Sequence, residues 1–252
     1  VNSVFAEAVL PLSEKLEVQT AVRFEDHGSV VGETVDPKIA ARFDATPWLA
    51  LRGSYGTSFQ APSSNQQGGI VNSGAVNYRT VAGTATCGGA DLSSFIVAQV
   101  GQPVGSLKPQ SAKNLNFGFV VQANNFDTSI DYWRYDYTDL IVNTQNAQAI
   151  LDSSCAGVSN GSPPRASEFI ERAANGQPTK IILALQNANQ AVTDGVDLAL
   201  NYRSELGAAK LGARLTLTYV NSFEFTTGIT RSELAGKRNF LSGSFGSLPR
   251  LR

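Results

Sequence analysis

The chain has 252 residues and a formal net charge of −1, with 20 basic and 21 acidic side chains. This near-neutral balance argues against a general nucleic-acid binder, which would carry a basic surface. No run of about 18 apolar residues occurs, so no transmembrane helix is predicted. The 2 cysteines form no CxxC motif and only 1 histidine is present, which argues against a zinc site.

Alternation of apolar and polar residues predicts eight strands along the chain. In LRGSYGTSFQAPS (51–63), for example, Leu51, Tyr55 and Phe59 fall on one face while Arg52 and the serines fall on the other. In the sixth strand the faces are unclear beyond Trp133, which predicts a bulge there. The predicted strands are 2–11, 16–27, 36–45, the LRGSYGTSFQAPS strand starting near Trp48, 109–123, 126–142, 181–203 and 208–224.

The connections between these strands alternate between short and long. The short ones are 11–15, 46–48, 124–126 and 204–208, and the longer ones are 28–35, 60–107, 143–180 and 225–247. All short turns therefore lie at one end of the sheet and all long loops at the other, which is typical of outer-membrane barrels. Cap and stop residues predict short helices at 91–101 and 166–176 in two of the long loops.

The polar faces carry arginines in the middle of strands, which would be costly in the dry core of a soluble sandwich. A water-filled lumen solvates them, while the apolar faces suit lipid. We therefore predict an all-β fold, an antiparallel transmembrane β-barrel segment of about eight strands. A small passive barrel and a soluble all-β domain remain alternatives. The predicted lumen-facing residues are Arg23, Arg42, Arg52, Arg203 and Arg214.

No metalloprotease, P-loop, nucleophile-elbow or dinucleotide motif occurs, so we predict no enzyme, no catalytic residue, no cofactor and no metal site. His27 is interpreted as a solvated residue at the barrel rim, with a ligand contact as the alternative. The sixth strand carries four aspartates, interpreted as lumen polarity and turn residues, with paired catalytic carboxylates or calcium ligands as alternatives. They are Asp127, Asp131, Asp136 and Asp139.

Ligand capture is expected where aromatic and polar side chains meet at the long-loop end. Aromatic faces with a few directed hydrogen bonds suit sugars, aromatic iron chelates or corrinoids. The alternative is that these side chains only pack the loops together. The candidates are Trp133, Tyr135, Tyr137, Asn143 and Gln145 at the top of the sixth strand, and Tyr78, Arg79 and Phe95 in the loop before the fifth.

The stretch LRGSYGTSFQAPS resembles the barrel strand motif R-x-S-Y-G-x-x-F-R-A-P-S of TonB-dependent outer-membrane receptors. Phe59 and Pro62 match it, and Gln60 stands where arginine is usual. Four further segments resemble strands of that family in the same order. They are LKPQSAKNLNFG (107–118), SIDYWRYDYTDLI (129–141), NANQAVTDGVDLALNY (187–202, with the motif glycine Gly195) and LPR (248–250).

The resemblance implies part of a barrel of about 22 strands in the outer membrane of a Gram-negative bacterium. It also implies a plug domain inside the barrel, energy coupling through TonB and import of a scarce nutrient such as siderophore-iron, vitamin B12 or oligosaccharide. Residues 1–252 would be a partial barrel domain without its plug, in contact with outer-membrane lipid. Both ends of the chain look cut, since VNSVFAEAVLPL reads as a strand without signal-peptide features and SLPRLR as a strand opening.

Cys87 and Cys155 lie in Gly/Ser-rich loops, which fits a disulfide in an oxidising compartment. Two unpaired thiols are the alternative. The occurrence of cysteines in two successive long loops also resembles the pattern of TonB-dependent receptors, and a bridge between them would pin two extracellular loops together.

Two rival functions remain for the whole chain: a passive porin-like barrel, and a soluble carbohydrate-binding or hydrolytic domain.

Overall fold

A computed structural model describes residues 1–28, 31–64, 66–67, 71–76, 95–100, 106–142, 150, 154, 169–174, 178–207, 209–227, 230–239 and 246–252. The described residues form strands almost throughout, and no helix among them is long and apolar enough to cross a membrane. The strands are β1 (Asn2–Pro11), β2 (Leu16–Asp26), β3 (Glu33–Thr46), β4 (Leu49–Gln60), β5 (Val71–Val76), β6 (Phe95–Val100), β7 (Gln110–Ala123), β8 (Phe126–Val142), β9 (Ile170–Arg172), β10 (Pro178–Ala184), β11 (Gln186–Leu206), β12 (Ala209–Thr227), β13 (Thr230–Glu233), β14 (Lys237–Asn239) and β15 (Gly246–Leu248).

Nine of these strands form one antiparallel sheet in the order β1-β2-β3-β4-β7-β8-β11-β12-β13. The eight predicted strands are confirmed, since they correspond to the first eight members of this sheet. The four short connections predicted at one end of the sheet are also confirmed. Pro47 and Trp48 join β3 to β4, and Asn124 and Asn125 join β7 to β8. Asn124 has φ of 47°, the left-handed conformation that two-residue hairpin turns require.

Pairing across the sheet fixes its two faces, because directly paired residues point to the same side. Leu51 pairs with Phe43 and Phe119, and we call this side the apolar face. Its large side chains are strongly exposed, which a sheet folded in water would not tolerate over so wide an area. They include Val4, Leu10, Val22, Phe24, Val35, Ile39, Phe43, Tyr55, Leu115, Phe117, Leu211, Leu215 and Tyr219.

The opposite side, which we call the arginine face, carries Arg52 paired with Arg42 and Gly118. The register of the other strands places Arg23, Arg203 and Arg214 on this same side. Most of these arginines have an acidic partner close by on the same face. The ion pairs are Arg23–Glu25, Arg42–Asp44 at 2.9 Å, Arg52–Asp131 at 2.5 Å and Arg203–Asp127 at 3.5 Å.

A second sheet joins the two longest connections, with strand order β5-β6-β10-β9. β6 from the first connection runs parallel to β10 from the second, with Ile96 opposite Lys180 and Val100 opposite Ala184. The helices predicted at 91–101 and 166–176 are therefore wrong over β6 and β9, which are strands. Pairing to β10 satisfies the backbone groups of β6 and β9, and this partner is distant in sequence.

Two further expectations for the main sheet are wrong. The seventh strand begins at Gln186 rather than 181, because residues up to Ala184 belong to β10 in the second sheet. The bulge predicted beyond Trp133 is absent from β8, whose register with β7 and β11 is continuous there. The irregularity lies instead on β12, where Asp194 pairs with Ser222 but Gly195 pairs with Val220, so Asn221 is the extra residue.

The prediction that 225–247 is one long loop is wrong, because the stretch contains the end of β12, β13, β14 and the start of β15. The stretch LPR (248–250) was predicted to open a further strand; in the structure Leu248 ends β15, and only the residues that follow approach β12. The backbone groups of Thr218 and Arg252 exchange two hydrogen bonds of 3.0 Å, and Leu251 lies opposite Tyr219 in an antiparallel bridge. The last residues of the chain thus make an isolated bridge to β12 beside the β13 hairpin.

Glu233 holds the β12–β13 hairpin at the long-loop end. Its carboxylate accepts hydrogen bonds from the Ser222 hydroxyl at 2.6 Å and from the backbone N–H groups of Phe223 at 2.9 Å and Ala235 at 2.8 Å. Partial burial opposes ionisation, but these hydrogen bonds and the charge of Arg250 outweigh it and lower the pKa of Glu233. The ionised form of Glu233 is therefore the form that these three hydrogen bonds stabilise.

We expect Glu233→Gln to loosen this hairpin by about 1 to 2 kcal/mol at neutral pH, because a charge-assisted acceptor is lost. Since the folded-state pKa lies below the unfolded one, the stabilisation is complete above the unfolded value of about 4.3. It disappears as the pH falls through the lowered pKa. Hydrogen exchange of the Phe223 and Ala235 amides, followed by mass spectrometry across this acidic range in detergent micelles, measures both effects.

Glu224→Gln is the matched control, because Glu224 lies directly opposite Glu233 in the hairpin. Its partner is Arg231, which is two-thirds exposed at 67%, so the change should cost less than about 1 kcal/mol. Equal exchange in both variants, or a pH dependence that survives in Glu233→Gln, would contradict the role assigned to Glu233.

Candidate ligand-binding site

Three aromatic side chains follow one another on the arginine face of β8. Trp133, Tyr135 and Tyr137 occupy alternate positions, so all three point to the same side. The ring centroids of Trp133 and Tyr135 are 5.8 Å apart, and those of Tyr135 and Tyr137 are 6.0 Å apart with planes inclined by 20°. The structure thus brings together three of the eight predicted ligand-binding candidates as a continuous row of rings.

Small residues of β11 lie beside this row. Gly195, Thr193 and Ala191 are paired with Trp133, Tyr135 and Tyr137, respectively. Ala191 is 1% exposed and Thr193 is 7% exposed, so neighbouring side chains cover this part of β11. Short side chains on β11 therefore allow the larger rings of its neighbours to lie over it.

Gly195, the family-motif glycine, is required by close approach. A Cβ atom built there would collide with Cζ2 of Trp133 and the carbonyl oxygen of Tyr219, and would lie 2.9 Å from Cε2 of Trp133. The bulge at Asn221 lies directly opposite and increases the local twist. Asn221 also donates a 2.8 Å hydrogen bond to Asp194, which fixes the irregular geometry.

Phe223 and Phe225 extend the aromatic surface and were missed from the sequence. They pair with Thr193 and Ala191, which places them on the arginine face beyond the bulge. Before the bulge, the odd-numbered residues Leu217 and Tyr219 lie on the apolar face. After the bulge, odd-numbered residues lie on the arginine face. The sequence signal for these two residues was the pattern SFEFTT, in which phenylalanines alternate with polar residues. The face to which the phenylalanines point, however, depends on the bulge at Asn221.

Below the row of rings, Arg52 and Asp131 form a two-point ion pair. Nε of Arg52 donates to Oδ1 of Asp131 at 2.7 Å, and Nη2 donates to Oδ2 at 2.5 Å. Gly118 lies between them in the sheet, where a Cβ atom would collide with Oδ1 of Asp131 and lie 2.5 Å from the carbonyl oxygen of Ile130. The Asp131 side chain is only 12% exposed, so this pair closes the lower edge of the aromatic surface.

The other acidic residues of β8 are separated rather than clustered. Asp127 is 3.5 Å from Arg203. Asp136 lies on the opposite face and accepts a 2.7 Å hydrogen bond from Gln190. Asp139 has φ of 55°, and its carbonyl oxygen accepts a 2.6 Å hydrogen bond from Asn187. These partners support the structural interpretation of the aspartates over paired catalytic carboxylates.

Amide side chains anchor the strand ends above the rings. Gln110 donates to Oε1 of Gln60 at 2.6 Å and accepts from the Ile141 N–H at 3.3 Å. Asn187 exchanges two 2.9 Å hydrogen bonds with the backbone of Lys108. These contacts tie together the points where the two longest connections leave the main sheet.

His27 lies where β2 ends, at the long-loop side of the sheet. Its ring meets the Phe59 ring edge-on at 4.9 Å, and its Nε2 is 3.5 Å from Oε2 of Glu25. Only 15% of its side chain is exposed, so the interpretation of His27 as a solvated residue is wrong.

Pro62, the motif proline, is buried just beyond the end of β4.

Several predicted residues lie outside the part of the chain that the structure describes. They are Tyr78, Arg79, Asn143 and Gln145 among the ligand candidates, and both members of the proposed disulfide, Cys87 and Cys155. Phe95 opens β6, where only its strand assignment is described. Within the described residues, no group of three His, Cys, Asp or Glu side chains is arranged to hold a metal ion.

Comparison with known proteins decides the family. A family model described as TonB dependent receptor-like, beta-barrel, matches residues 1–252. The chain belongs to the TonB-dependent receptor family. Proteins of this family reside in the bacterial outer membrane, and this TonB-dependent receptor chain belongs there too.

The relatives of this TonB-dependent receptor chain are distant. A probable TonB-dependent siderophore receptor, PirA of Acinetobacter baumannii, is 24% identical over 161 residues, which is 64% of this chain and 20% of that protein. The crystal structure of the siderophore receptor PirA from Pseudomonas aeruginosa superimposes with a TM-score of 0.59 at 16% identity, covering 88% of this chain and 36% of that one. A ferric enterobactin receptor (PfeA) variant from Pseudomonas aeruginosa gives 0.58 at 19% identity, covering 87% and 26%.

This TonB-dependent receptor chain thus spans one fifth of the length of the curated relative it matches. The solved structures share its fold: a long antiparallel sheet that forms part of a barrel. The match includes the segments that suggested the family, among them the strand of Phe59 and the strand of Gly195.

Proposed function

We propose that residues 1–252 supply part of the barrel and two ligand-facing loops of an outer-membrane receptor that imports an iron chelate of the siderophore class. The observation that carries this proposal is the row of rings on the arginine face, at the end of the sheet where the longest connections emerge. An aromatic surface beside amides and hydroxyls is the usual composition of a small-molecule site. The similar proteins described as siderophore receptors support the iron chelate as cargo.

The arginine face is, in this proposal, the lumen wall. Its ion pairs lie on the side opposite the apolar face, which would contact outer-membrane lipid, and water in the lumen would solvate the exposed arginines. A plug domain elsewhere in the same protein would fill this lumen and couple transport to TonB, as the family implies. The residues described above would form a static wall and contact surface, and the plug would be the moving part.

We expect deletion of the gene to abolish growth on at least one ferric chelate as sole iron source. Restoring the gene should recover growth only in cells with functional TonB, because the cargo is imported against its gradient. Uptake of radioiron-labelled chelates by iron-starved cells measures this directly. Uptake that is independent of TonB would instead support the passive porin-like alternative, and unchanged uptake of every chelate after deletion would reject iron import.

A further inference from the structure

We propose that Lys113 on β7 and Arg134 on β8 form a phosphate-binding site on the apolar face of the sheet. Its ligand would be the phosphorylated glycolipid of the outer leaflet of the outer membrane. The inference rests on the part of the proposed function that turns the apolar face toward lipid, and it is independent of the imported cargo. It follows from the position of two unpaired cations directly above an uncharged band.

The apolar face of β7 and β8 carries no charged side chain between their shared short turn and the level of Leu115 and Tyr132. The structure describes both strands throughout. On β7 this uncharged band includes Phe117 and Leu115, whose side chains are 58% and 43% exposed. On β8 it ends with Tyr132, an aromatic residue of the kind that lies at the boundary between hydrocarbon and headgroups.

Lys113 and Arg134 are the next residues of the apolar face above this band, each two positions beyond the last uncharged one. Two positions span about 7 Å along a strand, and less along the membrane normal because barrel strands are tilted. A headgroup layer is about 5 to 7 Å thick on each side of the hydrocarbon. Both cations therefore lie at headgroup height.

The two cations are placed to share one anion. Lys113 pairs with Asp136 and Leu115 pairs with Arg134, so Lys113 and Arg134 are diagonal neighbours on adjacent strands. Diagonal neighbours are about 7 to 8 Å apart, within reach of long side chains. Both side chains are exposed, and neither makes an ion pair or hydrogen bond within the described part of the chain. A phosphate between them would receive the arginine fork and the lysine ammonium together.

The carboxylates nearest to these cations already have other partners. Asp136 lies directly opposite the lysine, but it accepts a 2.7 Å hydrogen bond from Gln190. Asp194 lies directly opposite the arginine, but it is only 8% exposed and accepts a 2.8 Å hydrogen bond from Asn221. The two amides thus satisfy the carboxylates, and the cationic groups stay at the surface.

The other charged groups at this end of the sheet lie outside the site. Glu224 and Arg231 form an ion pair with each other, and Glu233 is held by the three hydrogen bonds described above. Lys108 and Asp139 are each five positions farther from the uncharged band along the chain. A cation beside hydrocarbon is costly unless an anion pairs with it, and phosphate is the anion that this lipid layer supplies.

The sharpest test compares two lipids that differ only in their phosphates. The full-length receptor in detergent is mixed with bis-phosphorylated lipid A, or with the same lipid after its phosphates are removed, and native mass spectrometry measures the bound fraction. We expect Lys113→Gln combined with Arg134→Gln to weaken binding of the phosphorylated lipid by about tenfold. Binding of the dephosphorylated lipid should not change, because its acyl chains contact the uncharged band.

Two further variants test the charges separately from the fold. Asp136→Asn should strengthen binding of the phosphorylated lipid, because it removes a negative charge beside the site and keeps an acceptor for the amide hydrogen bond. Lys38→Gln is the matched control. Lys38 is also an exposed cation, but its pairing with Gly56 places it on the arginine face, so both lipids should bind as they do to the unmodified receptor.

The outcomes separate this inference from the function beneath it. An unchanged affinity for the phosphorylated lipid in the double variant, with the barrel shown to be folded by its altered mobility in unheated gels, would overturn the site. An equal loss of both lipids would overturn it too, since the acyl chains would then be the group that is held. Iron-chelate uptake should persist in the double variant. A receptor that imports a chelate without preferring the phosphorylated lipid would lose this inference alone, and one with the phosphate preference but no uptake would lose only the iron cargo.

Discussion

Gly195→Val is expected to prevent stable folding of this part of the barrel, and Gly195→Ala to destabilise it by about 3 kcal/mol. The reason is that two groups approach this position from different strands. The Trp133 ring could swing away, but the Tyr219 carbonyl is backbone and is held by the bulge at Asn221. Urea unfolding of the receptor in detergent, together with the mobility of unheated samples on gels, measures the loss.

A double variant separates the two collisions. Trp133→Ala removes the ring but leaves the Tyr219 carbonyl, so it should rescue Gly195→Ala only in part. Gly212→Ala is the matched control, since Gly212 lies on β12 and a Cβ atom there has nothing within 4 Å. Its effect should stay within about 0.5 kcal/mol. Full tolerance of Gly195→Ala would show that the approach of Trp133 to β11 is not required.

The strand plan could be predicted from the sequence because both faces of the sheet impose the same period of two. Residues such as Leu51 and Arg52 alternate along each strand, since one face of the sheet is apolar and the other is polar. The short turn between β7 and β8 is marked by a local residue, Asn124. These features depend on neighbours in sequence, and the structure confirms them.

The loop strands could not be predicted in this way. DLSSFIVAQVG carries residues that favour both a helix start and a helix stop, and only the second sheet decides the conformation of its described part, Phe95–Val100. β6 is a strand because β10, some eighty residues later, lies alongside it. Local propensity is a weak prior when such a partner is available.

The aromatic site was predicted in part for a related reason. Trp133, Tyr135 and Tyr137 are visible as alternating rings in one strand. Phe223 and Phe225 are not assignable to that face, because one inserted residue at Asn221 reverses the side to which every later residue points. A bulge leaves no clear mark in a single sequence, and its effect extends over the rest of the strand.

The Arg52–Asp131 pair was beyond sequence reasoning, since its partners are 79 residues apart. Each residue alone reads as ordinary lumen polarity. The small size of Gly118, which lies between them in the sheet, is what leaves room for the carboxylate. The strands β4, β7 and β8 therefore have to be in register before the ion pair can form.

We expect Arg52→Ala to destabilise the barrel by about 2 to 3 kcal/mol, because it leaves the largely buried Asp131 carboxylate without its two donors. Asp131→Ala should cost less, about 1 kcal/mol, since the Arg52 side chain is 46% exposed and water can solvate it. Urea unfolding of both single variants and the double variant gives the coupling energy, expected at about 1 to 2 kcal/mol.

The asymmetry between the two single variants is the decisive feature of this prediction. Removal of a partner is costly in proportion to the burial of the charge that remains, not to the shortness of the hydrogen bonds that are lost. Arg42→Ala is the matched control, because Arg42 is 60% exposed and its partner Asp44 is 45% exposed, so we expect a change within about 0.5 kcal/mol. If Asp131→Ala proved more costly than Arg52→Ala, the carboxylate would not be the buried member, and the lower edge of the aromatic surface would be open to water.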